Sequence, residues 1–161
     1  MTDTAKSPTN ISTQSIEAGF VNAGPDVYDL LNKVITSFDR FKFINPSHFL
    51  IVFKKKGKSS WVANIRKLSD HIKLYLPGKH VLLMISMIEW DMMSPSKKTA
   101  VIFHELLHLA FHEGKYKMVK HDVQDFRELV QKLGMDYENA DVLITEIQAA
   151  ESKSTSTEVK D

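Results

Sequence analysis

The chain has 161 residues, 43% of them hydrophobic and 25% charged, with 21 Lys and Arg against 20 Asp and Glu. That is enough apolar material for one core and too little for two, and no uninterrupted apolar run approaches the roughly 20 residues a bilayer-spanning helix needs, so no membrane partner is expected. The absence of cysteine excludes a disulfide framework and thiolate-ligated metal sites.

Met1 to Ser15 is polar and rich in Thr and Ser, without the charged and apolar regions of a secretory signal, so a cytoplasmic protein is expected. Asn10-Ile11-Ser12 then reads as a chance sequon. After Gly24-Pro25, the residues Val27, Leu30, Leu31, Val34, Ile35 and Phe38 recur at helical spacing and predict an amphipathic helix packed against a sheet. Asn45-Pro46 breaks that pattern. His48 to Phe53 reads as a buried strand, with Trp61 to Ile65 as its weaker partner across a Lys54 to Ser60 turn. Leu68 to Leu76 fits two states, since Ser69 could cap a short helix while Ile72, Leu74 and Leu76 alternate as in a strand. Pro77-Gly78 marks a turn, and Val81 to Ile85 a strand leading into the next helix.

That next helix carries chemistry. Ser94 is its expected N-cap and Pro95 its first residue, and inside an apolar stretch from Thr99 to Phe111 stands His104-Glu105-Leu106-Leu107-His108. Histidines four apart lie on one helix face, one turn above the other, so both imidazoles can reach a single Zn²⁺. Glu105 projects beside them, where a carboxylate can take a proton from a water activated by the metal and pass it to a leaving amine. A core helix with merely hydrogen-bonded histidines is the bland alternative. It is disfavoured because two imidazoles and a carboxylate on an apolar helix are costly without a metal or charge partner.

A catalytic zinc needs a third protein ligand and an open position. His112 continues the series, but on one helix it would lie roughly 12 Å along the axis from His104, too far for the same ion. The third ligand must therefore come from a segment that folds back. Glu113 to Tyr116 has turn composition, with Gly114 placed to end the helix, and a second helix is expected from Asp122 to Leu133, with Asp122 as its cap. His121, just before it, is the first candidate and Glu128 the competing one. Asp125 could orient His121 or serve only as a capping residue. Tyr116 and Tyr137 are candidates for stabilising an oxyanion, with no geometry in the sequence to support either.

The HELLH element followed by Lys120-His121-Asp122-Val123-Gln124-Asp125-Phe126 resembles the putative phage metallopeptidase family, a minimal zincin group similar in pattern to SprT-like proteases. The similarity covers about Pro25 to Asp141, and the spacing from His121 to Phe126 is one residue longer than in the Spartan-type arrangement. The resemblance implies an α+β fold of small zincin type, with an N-terminal helix and a short sheet packed on the active-site helix, followed by a second ligand-bearing helix. It also implies His104, His108 and His121 as zinc ligands and Glu105 as general base. In zincins an edge strand beside the cleft aligns the peptide substrate, and by that resemblance Val81 to Ile85 is the candidate, an ordinary interior strand being the alternative. A phage-encoded member would act in the host cytoplasm.

Three segments are expected: a flexible N-terminus over 1–22, a metallopeptidase domain over 23–148, and a disordered polar tail over 149–161, with one short helix at Val142 to Ile147 before it. Charge is unevenly placed. Lys54 to Lys79 holds eight basic residues against Asp70 alone, whereas Asp136 to Asp161 holds seven acids against Lys153 and Lys160. The basic stretch could contact nucleic acid weakly through phosphates, or could be a solvated strand end with edge-blocking lysines. His48, His71 and His80 receive no metal role. The reading is a zinc peptidase acting on a protein or peptide substrate. Its rivals are a zinc hydrolase of a non-peptide substrate and a catalytically idle, zinc-stabilised module that binds nucleic acid or protein.

Overall fold

A computed structural model of the chain describes residues 19–57, 59, 61–122, 125–134 and 137–157. Most of the expected flexible N-terminus lies outside these residues, but its last part forms a short strand, β1 (Phe20–Asn22). Helix α1 (Pro25–Ser37) follows, with Pro25 in its first turn and Val27, Leu31, Val34 and Ile35 on its buried face. A 3-10 turn at Pro46–His48 is capped by Asn45, whose side chain accepts from the Ser47 amide at 3.0 Å, and it hands the chain to β2 (Phe49–Lys54). After β3 (Ala63–Lys67), the ambiguous stretch resolves as a single helical turn, α2 (Asp70–Lys73). Of the alternating residues, Ile72 is 40% and Leu74 80% exposed, so the alternation buries no apolar face of the kind a strand would.

Strand β4 (Val81–Ser86) decides the sheet. The order is β1-β2-β4-β3, with β4 parallel to β2 (Phe49 opposite Val81) and antiparallel to β3 (Ala63 opposite Ile85). Two expectations are corrected here. β3 is not the hairpin partner of β2, because β4 lies between them, and Val81 to Ile85 is an interior strand, not the edge beside the cleft. The cause is apolar burial: Val81, Leu83, Met84 and Ile85 are all buried, so β4 is covered on both faces and takes the central position. The edge falls to β3, whose Arg66 and Lys67 are exposed.

The short helix α3 (Met87–Asp91) leads to α4 (Pro95–Leu107). The apolar run beyond α4 was expected to continue the helix to Gly114; it instead forms a hairpin, β5 (Leu109–His112) and β6 (Lys115–Met118). Glu113 and Gly114 have φ of 51° and 74°, the left-handed pair of a two-residue hairpin turn, so Gly114 supplies the left-handed conformation foreseen for it, in a different element. Helix α5 (Arg127–Leu133) starts later than Asp122, although Asp122 still accepts the Arg127 amide at 2.8 Å. The last helix, α6 (Asp141–Thr157), is longer than the expected Val142–Ile147 and carries helical backbone to Thr157, into the stretch read as a disordered tail. It is tied to α4 at its start by a hydrogen bond from Ser96 to Asp141 and buries Leu143 and Ile147.

Helices α1, α4 and α6 pack on one another, and α4 also packs against β3. Phe38 and Phe41 meet Phe103 of α4 edge-on at 4.8 and 5.0 Å between centroids, locking α4 to the segment after α1. The architecture is a mixed α+β domain of the expected class. Among the described residues no helix is long and apolar enough to cross a membrane.

Candidate metal centre

Helix α4 begins as its sequence indicates, with Ser94 accepting the Lys97 amide at 3.3 Å and Pro95 in the first turn. Its C-terminal half is rigid because Ile102, Phe103, Leu106 and Leu107 are buried in the core. His104 and His108 therefore project from a helix packed into the core on its other side, their rings 5.2 Å apart. His108 is the C-cap and still has helical backbone, so the two rings keep the one-turn relation even though the helix ends there.

The hairpin brings the third histidine back. His108 and Val119 clamp the base of the β5–β6 ribbon twice: the Val119 amide donates to the His108 carbonyl at 2.7 Å, and the His108 ring Nδ1 lies 2.7 Å from the Val119 carbonyl. Two residues later His121 reaches the α4 pair, with its Nε2 at 3.0 Å from Nε2 of His104 and its ring 4.6 Å from that of His108. Ligand atoms of His104, His108 and His121 all lie within 4.8 Å of one another, and this is the one such group of three among the described residues.

The donor set fits a metal ion. At the Val119 carbonyl the His108 Nδ1 can only be a donor, which leaves the lone pair of Nε2 free. His104 is in the same state, since its Nδ1 lies 2.9 Å from the Asp125 carboxylate. Burial lowers the pKa of His104 to about 4, against the opposing pull of Asp125, and lowers that of His108 as well, so both rings are neutral at pH 7. An ion pair with Asp125 alone would suggest a charged His104; removal of the ring from water outweighs it. Two Nε2 atoms 3.0 Å apart need a proton or a cation between them. For tetrahedral zinc with bonds of about 2.0–2.1 Å the nitrogens would sit about 3.3 Å apart, close to that spacing.

Glu105 is buried, 7% exposed, and its carboxylate accepts the backbone amide of Ile65 on β3. Burial raises its pKa to about 7, with the Ile65 hydrogen bond opposing and the Asp125 charge adding to the rise. A group poised there can hold or release a proton near neutrality. Glu105, the three histidines and Tyr137 share a cleft of about 440 Å³ with Trp61 to Ile65. The wall opposite α4 is thus the edge strand β3 and the residues just before it.

Several residues take roles different from those expected. From the sequence Asp125 is a candidate orienter of His121 or a capping residue. It accepts the Phe126 amide at 2.6 Å, but the cap residue of α5 is Phe126, and the ring that Asp125 faces is His104 at 2.9 Å. Tyr137 donates to its second oxygen at 2.8 Å and also lies 2.5 Å from His104 Nδ1, with a left-handed φ of 56°. Burial and the Asp125 charge push the Tyr137 phenol above its ordinary pKa. Tyr116 is remote from the triad and bonds His48 and the Asn45 amide instead. Glu128, the competing ligand, is exposed and paired with Arg40. His112 is not on the motif helix at all; it is an exposed residue of β5 beside Glu113.

Two contacts are not written in local sequence, although Phe126 itself belongs to the KHDVQDF element. Phe126 places its ring against all three imidazoles, 5.4, 4.8 and 5.0 Å from His104, His108 and His121, which keeps that side of the group apolar. The approach of Ile65 to Glu105 depends on which strand falls at the sheet edge, which no local pattern discloses. The family model described as Putative phage metallopeptidase matches residues 20–150. No curated protein and no solved structure matches the chain.

Proposed function

The chain belongs to the Putative phage metallopeptidase family, whose members are metal-dependent peptidases by description, and from that premise we propose a zinc peptidase with His104, His108 and His121 as ligands and Glu105 as general base. The observation that carries this reading is the convergence of three imidazoles, drawn from α4 and from the segment after β6, beside one buried carboxylate. Zinc bound there would supply Lewis acidity, polarising the scissile carbonyl and making a water acidic enough to act near neutral pH. Glu105 accepts the proton of the attacking water and delivers it to the departing amine, a two-way transfer for which a pKa near 7 is suited. Asp125 and the Val119 carbonyl hold the His104 and His108 rings with Nε2 toward the site.

The substrate wall follows from the ladder of β3. The Leu68 amide donates to His80 and the Ser86 amide to Val62, so even-numbered residues of this strand face β4; of the amides on the other edge, that of Ile65 is held by Glu105, which leaves those of Ala63 and Lys67 on either side of it. A peptide in extended form can pair there, beside Glu105, which favours a polypeptide over other hydrolysable substrates.

The test is metal analysis with activity. The wild type should hold one zinc per chain and cleave a denatured protein substrate. His121→Ala should lose both, and Glu128→Ala neither. Zinc retained by His121→Ala but lost from Glu128→Ala would sink the ligand assignment, and an inactive zinc-loaded wild type would sink the peptidase.

A further inference from the structure

The free edge of β3 leaves the metal cleft at Ile65 and enters a second, larger one. Lys67 ends the strand, Lys73 stands on α2, and Lys115 and Lys117 come from β6; together they border a cavity of about 870 Å³ in which His48 and His80 also lie. Asp70 is the sole carboxylate in this lining, and it is already engaged by Lys73 at 3.1 Å. Its carboxyl is held below the usual range by the Lys73 hydrogen bond and charge, with Lys115 and Lys67 adding to the effect and slight desolvation opposing. Among the described residues no carboxylate pairs with Lys67, Lys115 or Lys117. Their charge is therefore directed at whatever enters the cavity.

A neutral donor stands with them. The Tyr116 hydroxyl accepts the Asn45 amide at 3.1 Å and lies 2.9 Å from Nδ1 of His48, so its own proton can go to that nitrogen. The neutral His48 ring then carries its proton on Nε2, as one more donor in the wall. His80 packs edge-on against His48 at 4.5 Å.

This cluster is not the basic run of the sequence. Lys67 is opposite Val81 and Lys54 is opposite Ser86 across the same strand β4, so the two halves of that run lie at opposite ends of the sheet. Lys54 is turned onto Ser59 and the Trp61 ring. Among the described residues the run forms no continuous strip of the kind a nucleic-acid backbone follows, whereas lysines distant in sequence meet around a single concavity. A compact anion in a cleft collinear with a peptide-pairing strand matches this better than a long polyanion does.

We infer that this cleft is a subsite that binds an acidic side chain of a peptide lying along β3, through Lys67, Lys115 and Lys117 with His48 as an additional donor. The anion-binding part stands on the cleft alone; that the peptide is a substrate rests on the peptidase reading. From Ile65 to Ser69 is up to four residues, so at about 3.3 Å per residue the acidic position falls roughly 7–13 Å along the strand from Glu105.

The experiment uses the full chain, zinc-loaded and carrying Glu105→Gln so that bound peptide survives. A fluorescent decapeptide rich in Asp and Glu is titrated against its Asn and Gln counterpart and against an oligonucleotide of similar charge. Tighter binding of the acidic peptide is expected, reduced roughly tenfold by Lys67→Glu with Lys115→Glu and in the same direction, less strongly, by the milder Lys67→Gln with Lys115→Gln. Lys56→Glu, at the other end of the sheet, should leave it unchanged. Equal binding of both peptides, equal loss with Lys56→Glu, or preferred binding of the oligonucleotide would overturn the inference. A cleavage library with one Asp moved along the peptide, read on the active enzyme, separates the two claims. A kcat/KM maximum over one to three adjacent positions supports the subsite; cleavage with a flat profile overturns it alone. Absence of cleavage with acidic-peptide binding intact overturns the peptidase alone.

Discussion

The two halves of the candidate metal centre are built differently. His104 and His108 stand on a helix whose neighbouring residues are buried, and each has its Nδ1 anchored, by Asp125 in one case and by the Val119 carbonyl in the other. His121 is an exposed residue on a connection without regular structure, delivered by a hairpin and held to the pair by contact with their rings. One half is anchored by its own helix and by hydrogen bonds to Nδ1; the other is held by ring contacts and by the hairpin that precedes it. The difference teaches that a helix can fix two ligands cheaply, but the coordination sphere is completed by whatever brings a distant segment home.

The largest expected effect tests the group shared by both halves. Glu105→Gln should lower kcat by about 10²–10⁴-fold with zinc content unchanged, measured by steady-state cleavage beside metal analysis. Zinc lost together with activity would instead make Glu105 part of the metal-holding structure. The next separates the anchored half from its support. Asp125→Ala should weaken zinc affinity about 10–100-fold in a chelator competition, because the His104 ring loses the acceptor that orients it. An unchanged affinity would mean that packing against Phe126 alone suffices.

A third prediction concerns the metal-free protein. The Glu105 pKa is raised from 4.5 to about 7, so its contribution to stability is full below about pH 4.5 and is lost as the pH rises to about 7. Glu105→Gln, which keeps an acceptor for the Ile65 amide without burying a charge, should therefore stabilise the zinc-free fold at pH 8 by about 1–3 kcal/mol and have little effect at pH 4. Urea melts at the two pH values would show it, and equal effects at both would contradict the burial of a carboxylate. The smallest effect probes the delivering hairpin. Glu113→Asn should raise stability by about 0.5 kcal/mol, since Asn tolerates the left-handed φ of 51° better than Glu. Were α4 to continue through this point, the poorer helix former would lower it.

How much was legible follows from the same contrast. The start of α1 at Pro25, the Ser94 and Pro95 opening of α4 and the one-face spacing of His104 and His108 are written in neighbouring residues, because capping and helical period act within a turn or two. The HELLH and KHDVQDF elements together were enough for the family, which the match over 20–150 bears out. Misread were the stretches where local signals tie. Leu109 to His112 is apolar enough for either helix or strand, and two left-handed residues at Glu113 and Gly114 settle it as a hairpin. Asp125 fits a capping pattern in the sequence, and that pattern conceals that one of its oxygens faces His104 while the other serves Tyr137.

By itself the sequence determined the helical chemistry: which histidines share a face, which carboxylate stands beside them, and that the class is α+β. Only the tertiary structure decided that β4 lies inside the sheet and β3 at its edge, and that Ile65 reaches Glu105. It alone joined Lys67 to Lys115 and Lys117 and parted it from Lys54. The reason is range. Helix period and capping are settled by atoms a few residues apart, whereas strand order is settled by competition for apolar burial among segments that meet only once the chain has closed on itself.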